Sequence, residues 1–457
     1  MPLTMAFQNL RKLVTAKQGG RNLAANTAWL LGERVVSLSL ALATGILVAR
    51  YLGPHAFGQL SYAIALVGLF GTFTYLGLNG VATRDLVAQP GKRQEILGTT
   101  FALKLAGALV ATSLVIPMAL LWEPDPQVRT LLIVLACALP FDAMNVISLW
   151  YYSRTEAKYA VVASIAGALV SAALKVGFVV GSLSLKWFAI ATATQNAVTG
   201  IALLGIYFSQ GCSPAKWQVR REQSQALLAA SWPLAVAAVI ATIYLKIDQV
   251  MLAYFASHEA VGTYAVAARL SEVWYLFPAA ISTSVFPSIV KASKMAADEY
   301  RTRMRRLYTA MFYLSLSIAI PISFTSDIII GILYGPDFHD SGTILTIHIW
   351  ACPAMFMGAI LTKWLITEGR VSFVLIRDCC GAALNVILNL ILIPSYAGVG
   401  AAVATVISYS ISNLAIPFVD RRTRPAGIIM AKSILHPVIN FGGWLATKNG
   451  ERRMADD

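Results

Sequence analysis

The chain has 457 residues, 57% of them hydrophobic and only 13% charged, with a mean hydropathy of +0.67. A soluble domain carries about 25% charged residues, so a soluble globular protein is excluded and a polytopic membrane protein is predicted. The net charge of +14 does not point to nucleic acid, because the basic residues are scattered through short loops between apolar runs, as the positive-inside rule requires. Five cysteines, Cys137, Cys212, Cys352, Cys379 and Cys380, show neither metal-ligand nor paired-redox spacing and read as small apolar filler.

Residues 1–24 are polar and basic (Arg11, Lys12, Lys17, Arg21), unlike the apolar core of a signal peptide, and are expected at the cytoplasmic face. Apolar runs then fall at 25–50, 57–78, 96–121, 130–151, 159–180, 187–208, 226–252, 261–287, 307–326, 343–364, 371–394 and 398–419. Each approaches the roughly 20 residues that span a bilayer, which predicts an all-α fold of about twelve transmembrane helices. With the N-terminus inside, the basic residues gather on one face, the richest connection between spans being Lys291 to Arg306, while the opposite loops hold only Arg129 and Lys186. Both termini are therefore expected in the cytoplasm. Trp122, Trp150-Tyr151-Tyr152 and Trp187 sit at span ends, where aromatic side chains favour the headgroup level.

The segment 209–225 divides these runs into two six-helix bundles, 25–208 and 226–420, followed by a cytoplasmic or interfacial tail at 421–457. A faint echo links them: Tyr51, His55, Gly58 and Ala63 correspond, with one gap, to Tyr254, His258, Gly262 and Ala267. Parallel repeats of this kind leave a central substrate cavity between the halves.

The most informative stretch is 243–287, where Lys246, Asp248, Arg269 and Glu272 interrupt apolar runs. A charge at the centre of a membrane helix costs roughly 2.5–3.5 kcal/mol and therefore needs a partner, water or a ligand. Arg34, Lys104 and Lys175 are further cations within spans, and Asp142 is a further acid. Asp248, Glu272 and Asp142 lie deep enough to carry a proton or sodium ion between the faces.

The run Ala49-Arg50-Tyr51-Leu52-Gly53-Pro54, with Phe57-Gly58, Tyr62-Ala63, Tyr75-Leu76-Gly77-Leu78 and Arg84, resembles the first helix pair of Wzx-type polysaccharide and O-antigen flippases. Lys246-Ile247-Asp248-Gln249-Val250-Met251-Leu252, with Val261-Gly262-Thr263-Tyr264 and Ala267-Ala268-Arg269-Leu270, is similar to their seventh and eighth helices. That family lies in the multidrug/oligosaccharidyl-lipid/polysaccharide exporter superfamily. The resemblance implies translocation of an undecaprenyl-diphosphate-linked oligosaccharide across a bacterial inner membrane for lipopolysaccharide or exopolysaccharide synthesis, beside a polymerase and a chain-length regulator. It implies a transporter rather than an enzyme, and no cofactor.

An anionic head crossing hydrocarbon needs a hydrated, cationic cavity. Arg34 and Arg269 are the first candidates for head-group contacts, because a guanidinium fork binds two phosphate oxygens, followed by Lys246, Lys104 and Lys175. The competing reading is local pairing: Arg269 with Glu272 at i,i+3, Arg34 with the adjoining Glu33, and Lys246 with Asp248. Two other functions stay open. A multidrug cation antiporter of the same fold would want an acidic, aromatic cavity, and a membrane saccharide polymerase or glycosyltransferase would want a substantial outer loop. The longest outer loop, 326–342, is short for a catalytic module, and no phosphate-binding G-x-x-x-x-G-K-[ST] motif occurs.

Overall fold

In the computed structural model residues 2–434 are described, with side chains from Ala25 onward; the expectations for residues 1–24 and 435–457 lie outside the described side chains. Among the described residues ten helical segments are long and apolar enough to cross a bilayer, and the chain is a multi-pass membrane protein. Two of the ten, Ala25–Ala88 and Val371–Phe418, are about twice the length of one span. Each is broken near its middle. In α1 (Pro2–Tyr75) the break is Gly53, at φ 73° and ψ 172°, and Pro54 begins the next helix without needing the hydrogen bond its ring nitrogen cannot donate. In α14 (Val371–Ser410) the break is Ala397, at φ 46°, three residues beyond Pro394. Counting both sides of each break restores the twelve expected spans.

Of the remaining helices all but the short one at Leu78–Ala88 follow the apolar runs; that one lies in the connection between 57–78 and 96–121. These helices are α2 (Leu78–Ala88), α3 (Arg93–Trp122), α4 (Pro126–Ala136), α5 (Val146–Ser153), α6 (Ala157–Val180), α7 (Leu185–Ser209), α8 (Arg221–Phe255), α9 (His258–Glu272), α10 (Leu276–Ala292), α11 (Ala297–Leu333), α12 (Asp340–His348) and α13 (Ala351–Thr367). The fourth span departs from a single helix. Between α4 and α5 the chain tightens into 3₁₀ turns at Leu139–Asn145, where Pro140 lacks the donor an α-helix needs, and this segment carries Asp142.

Two loops are shorter than expected. The outer loop expected at 326–342 shrinks, because α11 continues to Leu333 and includes Asp327. At its other end α11 starts at Ala297, so Arg301 to Arg306 lie on its first turns and not in a loop. Arg, Glu and Met are good helix formers, and charge alone does not end a helix. Within the tail, residues 424–434 form a further helix, α15. It packs on α11: Ser433 Oγ donates to the Arg305 carbonyl (3.2 Å) and the Tyr313 hydroxyl to the Ile434 carbonyl (3.2 Å). Ala426 and Met430 are buried there beside Met304 and Tyr308.

The chain divides into two compact units between Thr242 and Ile243, inside α8. In the first unit the core gathers Leu97, Ile147, Tyr151 and Tyr207; in the second it gathers Tyr308, Phe356, Met357 and Trp364. Close approach of α3 to α1 depends on Gly107, where a Cβ would lie 2.0 Å from the Phe73 carbonyl oxygen. The segment before α8 is strapped to the first unit. Gln218 N–H donates to the Gln94 carbonyl (3.1 Å), Arg220 N–H to Thr99 Oγ1 (3.1 Å), and the Trp217 indole to the Tyr207 hydroxyl (3.2 Å).

Candidate functional site

Asp248, on α8, is 4% exposed and its carboxylate is met entirely by uncharged donors. Tyr264 on α9 donates its hydroxyl at 2.6 Å, Thr405 on α14 at 2.8 Å, and the Asn389 side-chain amide, also on α14, at 2.5 Å. Asn385 and Asn389 are four residues apart and so share one face of the helix, and Asn389 also donates to the Asn385 carbonyl oxygen at 3.2 Å. The break at Ala397 lets Asn389, before it, and Thr405, after it, converge on one carboxylate. The Asn389 carbonyl oxygen is buried and has no hydrogen-bond partner among the described residues. His348, 2% exposed, stands edge-on to the Tyr264 ring at 5.8 Å.

The pairing of Lys246 with Asp248 is not made; among the described residues Asp248 has no ion pair. Lys246, Arg269 and Glu272 are all half-buried. The charges of Lys246, Arg269 and Asp248 act on Glu272, yet neither cation closes to ion-pair distance with it among the described residues. The local Arg269–Glu272 bridge is therefore absent, and a loose cluster takes its place.

In the first unit, Lys104 on α3 is fully buried, with its Nζ 5.3 Å from the Tyr75 ring centre and without a hydrogen-bond partner among the described residues. Asp142, 7% exposed, is the charge that acts on it, and accepts from Asn145 at 3.4 Å. Asp142 also faces a cavity of 590 Å³ lined with Tyr75, Asn79, Thr192, Asn196 and Thr242. Arg34 and Lys175 do not line that cavity. Arg34 is exposed on α1, Lys175 half-buried on α6. The Glu33–Arg34 pair is not formed, since Glu33 accepts instead from Ser37 (3.1 Å) and from Ser164 of α6 (2.9 Å).

Sequence reasoning singled out Asp248 but missed its ring of neutral partners, Tyr264, Asn385, Asn389 and Thr405. The one available signal was a pair of asparagines at i,i+4 inside an apolar run.

Taken together, the order of the spans and the broken helices give a fold shared with solved membrane proteins. The lipid II flippase MurJ superposes with a TM-score of 0.69 at 14% identity, over 90% of this chain and 92% of that one. An inward-facing multidrug resistance MATE family transporter of the MOP superfamily gives 0.66 at 16% identity, over 88% and 94%. Residues 23–293, more than half of the chain, match the family described as polysaccharide biosynthesis protein, and residues 233–391 match MatE. The chain belongs to the polysaccharide biosynthesis protein family, within the exporter superfamily that its motifs resemble. Among curated proteins it is 28% identical over 184 residues to the "Probable flippase AglR" of Haloferax volcanii. That match spans 37% of each chain, little more than a third of the relative's length.

Proposed function

We propose that the chain is a flippase that carries an undecaprenyl-diphosphate-linked oligosaccharide from the inner to the outer leaflet, and not an enzyme. The observation that carries this reading is the loose cation cluster of the second unit: Lys246 and Arg269 lie in membrane-spanning helices, and no acid closes on either at ion-pair distance among the described residues. Unclosed cations in apolar surroundings suit an anionic head that arrives and leaves. Arg34 and Arg269 serve as the principal head-group contacts, with Lys246 next and Lys104 and Lys175 behind them. Membership of the polysaccharide family and the printed name of the Haloferax volcanii relative support the substrate class.

In this reading two six-helix bundles, 25–208 and 226–420, alternate in access around a central cavity in a bacterial inner membrane, with both termini cytoplasmic. The saccharide serves surface polysaccharide such as O-antigen, which a polymerase and chain-length regulator would then extend. Moving two negative charges outward across a potential negative inside is downhill by about 4.6 kcal/mol at 100 mV. Return of the empty carrier is then the step that uses an ion. Asp248 is the coupling residue: its carboxylate, the unpartnered Asn389 oxygen and the hydroxyls of Tyr264 and Thr405 form an all-oxygen set suited to sodium or a proton. Glu272 and Asp142 act as counter-ions.

The test is flipping of a fluorescent undecaprenyl-diphosphate oligosaccharide in proteoliposomes. Native protein should move the lipid, and Arg34→Ala and Arg269→Ala should both lose movement while remaining folded. Unchanged transport after both ion gradients are abolished at fixed potential would sink the coupling step. A second reading, a multidrug cation antiporter, draws on the 590 Å³ cavity, which presents Asp142 and Tyr75. Lys104 beside Asp142 opposes it by offsetting the negative charge a cationic drug would need. Export of cationic drugs without lipid movement would establish it.

A further inference from the structure

The helical start of α11 and the docking of α15 create a groove whose lining includes none of the candidate head-group or ion-coupling residues. On α11, Asp298, Arg301, Thr302 and Arg305 follow at i, i+3, i+4 and i+7, and so share one face. On α15, Pro425, Ile428, Ile429 and Lys432 repeat the same spacing. The two faces enclose a groove of 550 Å³ whose rim is cationic and whose floor is apolar. Its one acid, Asp298, is 96% exposed and lies 3.7 Å from Arg301, a surface pair worth little. Arg305 is half-buried and has no ion pair among the described residues, and Lys432 stands exposed across from it. Ile428 is 42% exposed into the same space. The apolar part of α11 begins at Leu307, immediately beyond Arg305 and Arg306, which sets the groove at headgroup depth.

We infer that this groove is a binding site for the phosphate headgroup of an anionic phospholipid, with Arg305 and Lys432 on the phosphate, Arg301 at the rim, and the start of an acyl chain along Ile428 and Ile429. Three cations against one acid supply the charge complementarity, and an apolar floor beside a cationic rim matches an amphiphile better than a free anion. Occupancy fastens α15 to α11 from outside, as Ser433 and Tyr313 do from within. The inference rests on the chain's placement in a membrane and is independent of what it transports.

The experiment is native mass spectrometry of the delipidated full chain titrated with phosphatidylglycerol or phosphatidylcholine, without any transport readout. Native protein should retain phosphatidylglycerol in preference to phosphatidylcholine, and the Arg305→Ala/Lys432→Ala double variant should bind it roughly tenfold more weakly. The charge-conserving Arg305→Lys/Lys432→Arg variant should keep the preference, while Ile428→Asn should weaken retention without reversing it. If the double variant fails to fold, Lys432→Glu, on an exposed side chain, carries the same expectation. Equal retention by the charge-removed variant, or equal binding of both lipids, overturns the proposal. Displacement by millimolar inorganic phosphate would make the groove a soluble-anion site instead. Stronger binding of the lipid-linked diphosphate saccharide would make it a substrate site, and either result overturns the phospholipid assignment. Failure of flipping with intact lipid retention leaves this inference standing and removes only the flippase reading.

Discussion

Asp248 is a carboxylate held by hydroxyls and an amide in a place where a cation partner was the ordinary expectation. No lysine or arginine neutralises it, so under the proposed coupling role it is free to take a proton or a sodium ion. Thr405→Val keeps the shape and removes one donor. We expect it to destabilise the protein by about 1–3 kcal/mol, through a carboxylate left short of a hydrogen bond, and to erase most of any sodium-dependent rise in the unfolding midpoint. Thermal unfolding of native and variant protein with and without sodium checks both parts, and a native midpoint indifferent to sodium would count against sodium binding at this site. Asp248 was legible because an acid inside IYLKIDQVML has few explanations in a membrane. Tyr264, Asn389 and Thr405 were not, since neutral polar side chains are common in spans, and only the fold brings residues 141 and 157 positions distant to the same two oxygens. Lys104 teaches the converse: a lysine near a span end reads as a surface charge, yet it is fully buried with Asp142 as the opposite charge that acts on it.

At the scale of the element, hydropathy located the spans because each must bury its backbone hydrogen bonds internally, so that helices run the full thickness of the bilayer. Interruptions were legible where the residue itself announces them, as Gly53-Pro54 does. The break at Ala397 falls in the gap between the expected spans 371–394 and 398–419, just after Pro394, and the two halves of α14 pack closely at Gly400, where a Cβ would lie 2.5 Å from the Leu392 carbonyl oxygen. The start of α11 was misplaced, because charges were read as loop where they are helix surface. Contact between helices that approach this closely is sensitive to single methyl groups. Gly107→Val should push α3 off α1, and we expect a loss of roughly 1–3 kcal/mol or more from overpacking, visible as a lower unfolding midpoint in detergent. Gly91→Ala, in open space within the 3₁₀ turn Pro90–Lys92, should leave the midpoint unchanged.

For the molecule as a whole, the sign of the cargo makes a prediction that no single residue makes. A carrier moving a diphosphate outward should speed up as the interior is made more negative, whereas an exporter of cations, working against the same field, should slow down. Valinomycin and potassium gradients in proteoliposomes set that field, and a flipping rate that falls as the inside becomes more negative would contradict the proposed direction of charge. The loop composition around 209–225 suggests two parts to a reader of the sequence, while the compact units meet inside α8, which reads as one uninterrupted apolar run. That helix has a mechanical consequence. Its first turn follows a strap clamped to Gln94, Thr99 and Tyr207, and its last turns carry Asp248, about 40 Å away at 1.5 Å per residue. Under the proposed coupling role of Asp248, Pro233, which removes one internal hydrogen bond between the two, is the position at which we expect this helix to bend.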